Sequence, residues 1–93
     1  MINLAVWKFS VLVNNDFIVP MPEGAKILTV QTQREIPQIW ALVDPRAPMR
    51  DRRFRLAGTG HPIQVAEAGN LAYVGSFQVE QETLVFHLFE IVS

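Results

Sequence analysis

Apolar side chains recur at every second position along most of this chain, and that period of two constrains the fold more than any other feature. A strand turns successive side chains to opposite faces, whereas a helix would show a period near 3.6. In Asn3–Val13, Ala5, Trp7, Phe9, Val11 and Val13 fall on one face, and Leu4, Val6, Lys8, Ser10 and Leu12 fall on the other. The first face is wholly apolar and the second mixed, as in a half-buried strand. Asn14, Asn15 and Asp16 supply a turn, because short polar side chains bond to nearby backbone and tolerate left-handed conformations. Phe17–Val19 reads as a second strand, ended by Pro20 and Pro22, which cannot donate to a ladder. The first two strands are expected to pair as a hairpin.

Glu23-Gly24 makes the next turn, and Ala25–Gln33 is a third strand with Ile27, Leu28 and Val30 as its apolar positions. Arg34–Pro37 is a short connection, Gln38–Asp44 a fourth strand, and Pro45–Asp51, with its two prolines, a loop. Arg52–Thr59 is a fifth strand, with Phe54 and Leu56 on one face and Arg53 and Arg55 on the other. Gly60–Asn70 lacks a sustained period and reads either as a single helical turn or as an ordered loop. Leu71–Glu80 and Thr83–Val92 form a hairpin around Gln81-Glu82. The last strand is apolar on both faces, which places it centrally in a sheet or in an interface. Seven short strands at regular spacing predict one all-β domain over residues 1–93, an antiparallel β-sandwich or small barrel. Within it Trp7, Trp40, Phe54, Tyr73 and Phe77 are expected in the core by their alternation.

Composition narrows the functional classes. With 49% hydrophobic and 18% charged residues the chain is not of the disordered type. A net charge of -1 argues against nucleic acid as a partner. The absence of cysteine removes disulfides, thiolate nucleophiles and sulfur-based zinc sites. No run of eighteen apolar residues is present, so no membrane-spanning helix and no membrane partner are expected. Met1–Val13 is apolar, but Lys8 interrupts it where a secretory signal would run unbroken, so a cytoplasmic location is expected.

Arginines crowd one region, at Arg46, Arg50, Arg52, Arg53 and Arg55, followed at once by Gly58-Thr59-Gly60-His61. A guanidinium offers a planar fork of donors to phosphate or carboxylate, and glycines let backbone N–H groups approach an anion. One reading makes Arg52, Arg53, Arg55, Gly58, Thr59, Gly60 and His61 a small-anion pocket for a nucleotide or similar phosphate ligand. The other pairs the arginines with Asp44, Asp51 and nearby glutamates on a solvated face. Neither the Walker spacing nor the dinucleotide glycine pattern is present. His61 and His87 show no metal-ligand spacing, and His87 is expected as a hydrogen-bonded core or interface histidine. Ser10, Ser76 and Ser93 lie in or at the ends of strands, and no nucleophile elbow surrounds them. No enzyme, metal or cofactor is expected.

The segments Met21-Pro22-Glu23-Gly24-Ala25, Trp40-Ala41-Leu42-Val43-Asp44-Pro45, Arg53-Phe54-Arg55, Gly58-Thr59-Gly60-His61-Pro62-Ile63, Tyr73-Val74-Gly75-Ser76-Phe77 and Leu84–Glu90 carry a resemblance. Together they resemble an uncharacterised family of small proteins found in bacteriophages and prophage-bearing bacterial genomes. The resemblance implies a phage-type accessory protein made inside a bacterial cell, and it implies no activity or site. The leading expectation is a non-enzymatic binding protein that self-associates as a homo-oligomer and engages a protein partner, because the terminal strands are apolar on much of both faces. The alternative is the small-anion binder.

Overall fold

The computed structural model describes residues 3–92, so Met1 and Ile2 of the apolar N-terminal stretch, and Ser93, lie outside the described residues. The strands are β1 (Ala5–Ser10), β2 (Asp16–Pro22), β3 (Lys26–Gln33), β4 (Ile36–Val43), β5 (Met49–Gly58), β6 (Leu71–Val79) and β7 (Leu84–Ile91). Between β5 and β6 lies a single helical turn, α1 (Val65–Ala68), which settles the open reading of Gly60–Asn70. The backbone N–H of Gln64 donates to Glu67 Oε1 at 3.0 Å and so ties the start of that turn.

The strands form two antiparallel sheets, ordered β1-β4-β3 and β2-β5-β7-β6. They pack as a sandwich whose core is Met21, Ile39, Ala41, Val43, Phe54 and Leu88, with Phe17 stacked on Phe54 at 5.5 Å. Alternation sets the inner faces: Phe17, Val19 and Met21 on β2 are buried, and Asp16, Ile18 and Pro20 are exposed. β7 lies between β5 and β6, so its two apolar faces belong to a central strand.

The expected β1–β2 hairpin does not form. β1 pairs with β4, β2 pairs with β5, and the chain crosses from one sheet to the other between Ser10 and Asp16. Turn residues report that the chain reverses, and a sandwich corner uses the same residues as a hairpin. Nor does β2 stop at Val19: it runs on to Pro22, opposite Met49. The hydrogen bonds explain why. Leu56 N donates to Asn15 O, and Glu23 N donates to Pro48 O, so the odd-numbered residues of β2 face β5. Pro20 and Pro22 therefore turn their missing donors to the open edge and cost the ladder nothing. For the same reason β5 begins at Met49, within the expected loop, because Met49–Asp51 have strand partners.

The β3–β4 turn is tighter than the sequence predicts, and the β6–β7 turn, Glu80–Thr83, is longer than the expected Gln81-Glu82. β3 and β4 are joined by Arg34 and Glu35 alone, both at positive φ (52° and 67°), a conformation suited to two-residue hairpins. Glu80, Gln81 and Glu82 at the β6–β7 turn are also left-handed, at 53°, 55° and 71°. The two turns touch, since Gln81 N donates to Glu35 Oε1 at 2.9 Å.

Candidate functional site

The arginines divide between the two faces of β5. Arg52 lies on the inner side, where it donates to Glu90 Oε1 at 2.9 Å and to Ala25 O at 2.9 Å. That charge-assisted bond to Glu90 holds the Arg52 pKa above its ordinary value, against the opposing effect of burial. Arg55, on the outer side, donates to Leu56 O at 2.6 Å and to Pro62 O at 3.4 Å, and it lies 3.5 Å from a Glu67 carboxylate oxygen. It pins the α1 segment to the sheet. Arg53 is exposed on the same outer side, opposite Ile18 and Ile91, and forms no ion pair among the described residues.

The Gly58–His61 segment is built as a turn. His61 N donates to Gly58 O at 3.0 Å, and the imidazole lies so close over Gly58 that a Cβ there would sit 2.8 Å from the ring. Gly60 takes φ +85°, a conformation that favours glycine. Thr59 joins His87 through its hydroxyl, and Gly58, Thr59 and His61 together line a cavity of about 290 Å³. The structure thus brings Gly58 to His61 and Thr59 to His87, and it leaves Arg52 across the sheet from Arg53 and Arg55.

Sequence reasoning missed a chain of hydroxyls on the outer face of the four-stranded sheet. Tyr73 Oη lies 2.6 Å from Ser76 Oγ, Ser76 Oγ lies 2.7 Å from His87 Nδ1, and His87 Nε2 lies 2.8 Å from Thr59 Oγ1. Residues 73 and 76 would sit on opposite faces of a regular strand. A bulge between Tyr73 and Gly75 shifts the register, so that Tyr73 faces Phe89 and Ser76 faces His87, two positions of one face. The signal in the sequence was Gly75, since an isolated glycine inside a strand often marks a bulge or a close approach. Here it marks both, as a Cβ at Gly75 would lie 2.9 Å from Val30 Cγ1. Tyr73 is 62% exposed rather than in the core, and its ring leans on Phe89 at 5.6 Å. His87 is half-buried, with both nitrogens bonded.

β3 and β6 lie side by side where the two sheets meet. β3 also carries a bulge, between Ile27 and Thr29, and two bulged edges do not align into one ladder. They leave a groove of about 790 Å³ with Val30 and Gly75 at its floor and Thr29, Gln31, Ser76 and Gln78 on its walls. Among the described residues no cluster of His, Asp and Glu could hold a metal ion, and no helix is long and apolar enough to cross a membrane.

The other notable surface is β1. It is an edge strand, and Leu4, Val6, Trp7, Leu12 and Val13 are all exposed, with Trp7 at 37% instead of in the core. The inner face of β1 is only partly covered: Ala5 and Phe9 are half-buried and Trp7 is exposed. Lys8 is folded back over its own sheet, with Nζ donating to Gln33 Oε1 at 2.6 Å and lying 5.9 Å from the centroid of the half-buried Trp40 ring. Val11 N donates to Pro37 O, so the odd-numbered residues of β1 face β4, and Val6, Lys8 and Ser10 turn their N–H and C=O groups to the open edge.

No curated protein and no solved structure matches the chain. Residues 2–93 match a family described as a domain of unknown function, DUF7352, and the chain belongs to that family.

Proposed function

We propose that this protein is a self-associating binding protein, that its first contact is with a second copy of itself through β1, and that the assembly engages a further protein partner. The observation that carries this reading is the β1 edge, which exposes apolar side chains on both faces, Trp7 on one and Leu4 and Val6 on the other, and has unpaired backbone groups. A two-fold axis makes such an edge self-complementary. Setting the two Trp7 residues opposite each other pairs Val6 with Lys8 twice, keeps the lysines apart, and joins only residues whose backbone groups already face outward.

On each copy Leu4, Val6 and Trp7 contribute on the order of 1 kcal/mol each when covered, and the edge hydrogen bonds add about 1 kcal/mol each. These gains are of the same order as the cost of association, so the dimer is concentration-dependent. An accessory role inside a bacterial cell, which the resemblance to small phage and prophage proteins implies, and a role without catalysis belong to the same proposal. The small-anion alternative has less support, because Arg52 and Arg55 each already hold a carboxylate.

Sedimentation velocity over a concentration series tests the reading. The expected mass approaches twice the 10.5 kDa of one chain. Val6→Pro, which removes an edge donor and spares the β4 ladder, should return it to a single chain. A monomer at every concentration, or a dimer indifferent to Val6→Pro, would refute it.

A further inference from the structure

The groove between β3 and β6 lies two strands away from β1, and self-association makes no use of it. Its walls are neutral and carry groups that both donate and accept: the amides of Gln31 and Gln78 and the hydroxyls of Thr29 and Ser76. Arg34, Glu35 and Glu82 close one end with charges of both signs. These three side chains are kept at left-handed positions that glycine would occupy with less strain. Ser76 connects the wall to the hydroxyl chain, and through it to Tyr73, whose exposed ring stands on the same sheet face.

That chain can run in either direction. In one, Tyr73 donates to Ser76, Ser76 to His87 Nδ1, and His87 Nε2 to Thr59. In the other every donor reverses, and the Tyr73 O–H is freed to point outward. A ligand group that matches both states must itself donate and accept. A sugar hydroxyl does so, whereas a peptide N–H only donates and a peptide C=O only accepts. An exposed aromatic ring adds a flat surface for the apolar face of a pyranose, and the mixed charges at the groove end favour neither an anion nor a cation. We propose that a short neutral saccharide binds along this seam, with Gln31, Ser76 and Gln78 in the groove as hydrogen-bond partners and Tyr73, which lines the neighbouring cavity and bonds to Ser76, as the stacking surface beside it.

The test is an amide-resolved NMR titration of the full chain with maltose, cellobiose and N,N′-diacetylchitobiose, each to about 20 mM, a range suited to millimolar affinity. At least one sugar is expected to shift the resonances of Gln31, Ser76 and Gln78. Tyr73→Ala should weaken that binding about tenfold, and Tyr73→Phe, which keeps the ring and breaks the chain, about threefold. Gln78→Ala, at an exposed position, gives a second variant if Tyr73→Ala does not fold. No groove shifts with any of the three sugars, shifts confined to other surfaces, or unchanged affinity in both Tyr73→Phe and Gln78→Ala would overturn the proposal. So would groove shifts produced by a capped Gly/Ser/Thr hexapeptide and by none of the sugars.

Discussion

Gly75→Ala probes the seam between the sheets, and its sign can be worked out from the structure. The backbone of Gly75 is not left-handed, so an alanine there meets no conformational penalty. By restricting the unfolded chain it would even stabilise by about 0.4–1 kcal/mol if the site were open. The site is closed. The new Cβ would stand 2.9 Å from Val30 Cγ1, with Val30 N and O at 3.8 and 3.9 Å. A comfortable carbon–carbon contact is about 3.5–4.0 Å, so Val30 would have to yield by roughly 0.6–1 Å. Val30 is only 2% exposed, and a β-branched side chain has few alternative rotamers. Overpacking of this kind costs about 1–3 kcal/mol, which leaves a net loss of about 1–2 kcal/mol.

Val30→Ala alone should cost about 2–3 kcal/mol from lost burial and the cavity left behind. In the double variant the added methyl occupies space vacated by Val30, so the total should fall short of the sum by about 1–2 kcal/mol. Urea unfolding followed by far-ultraviolet circular dichroism measures all four corners of the cycle. Additivity within about 0.5 kcal/mol, or a Gly75→Ala variant as stable as the parent, would refute the packing argument.

Arg52→Ala should destabilise by about 2 kcal/mol, since it leaves Glu90 mostly covered and without its partner, and adding Glu90→Ala should recover part of that loss in the same unfolding assay. Because the Arg52 pKa is raised in the folded protein, the pair's contribution is fully present below the unfolded arginine value and is lost only as pH rises through the folded one. Stability from this pair should therefore be flat between about pH 6 and pH 9. Arg55→Ala should release the α1 segment, seen as faster hydrogen exchange over residues 61–70 with β5–β7 protection unchanged.

How much could be read in the sequence varied with the physics involved. Alternation located all seven strands, and the Phe54/Leu56 against Arg53/Arg55 split set the faces of β5 correctly. Alternation is local and does not encode pairing, so β1 and β2 went to different sheets although the turn between them was recognisable. Pro20 and Pro22 looked like strand breakers because their harm depends on which way an absent N–H points, a property of the edge and not of the residue. Tyr73 and Trp7 carried the core pattern and ended exposed, one aimed outward by a bulge and one on an edge strand with a neighbour on one side only. The hydroxyl chain was hidden for a related reason. Its members lie on two strands and the turn after β5, and two of them share a face only after a register shift.

The prolines of β2 bear on how far the proposed self-association could proceed. Apart from the β3 and β6 edges that flank the groove, the sandwich has edges of unlike character: β1 offers a full row of outward N–H groups, and β2 lacks them at Pro20 and Pro22. Joining β1 of one molecule to β2 of the next would be a head-to-tail contact, which repeats without end and grows filaments. Withholding two donors from β2 disfavours that route, while β1 against β1 uses up both edges in a single closed contact. Under the proposed β1 contact, two residues that resemble interruptions in the sequence would thus act as a stop on polymerisation.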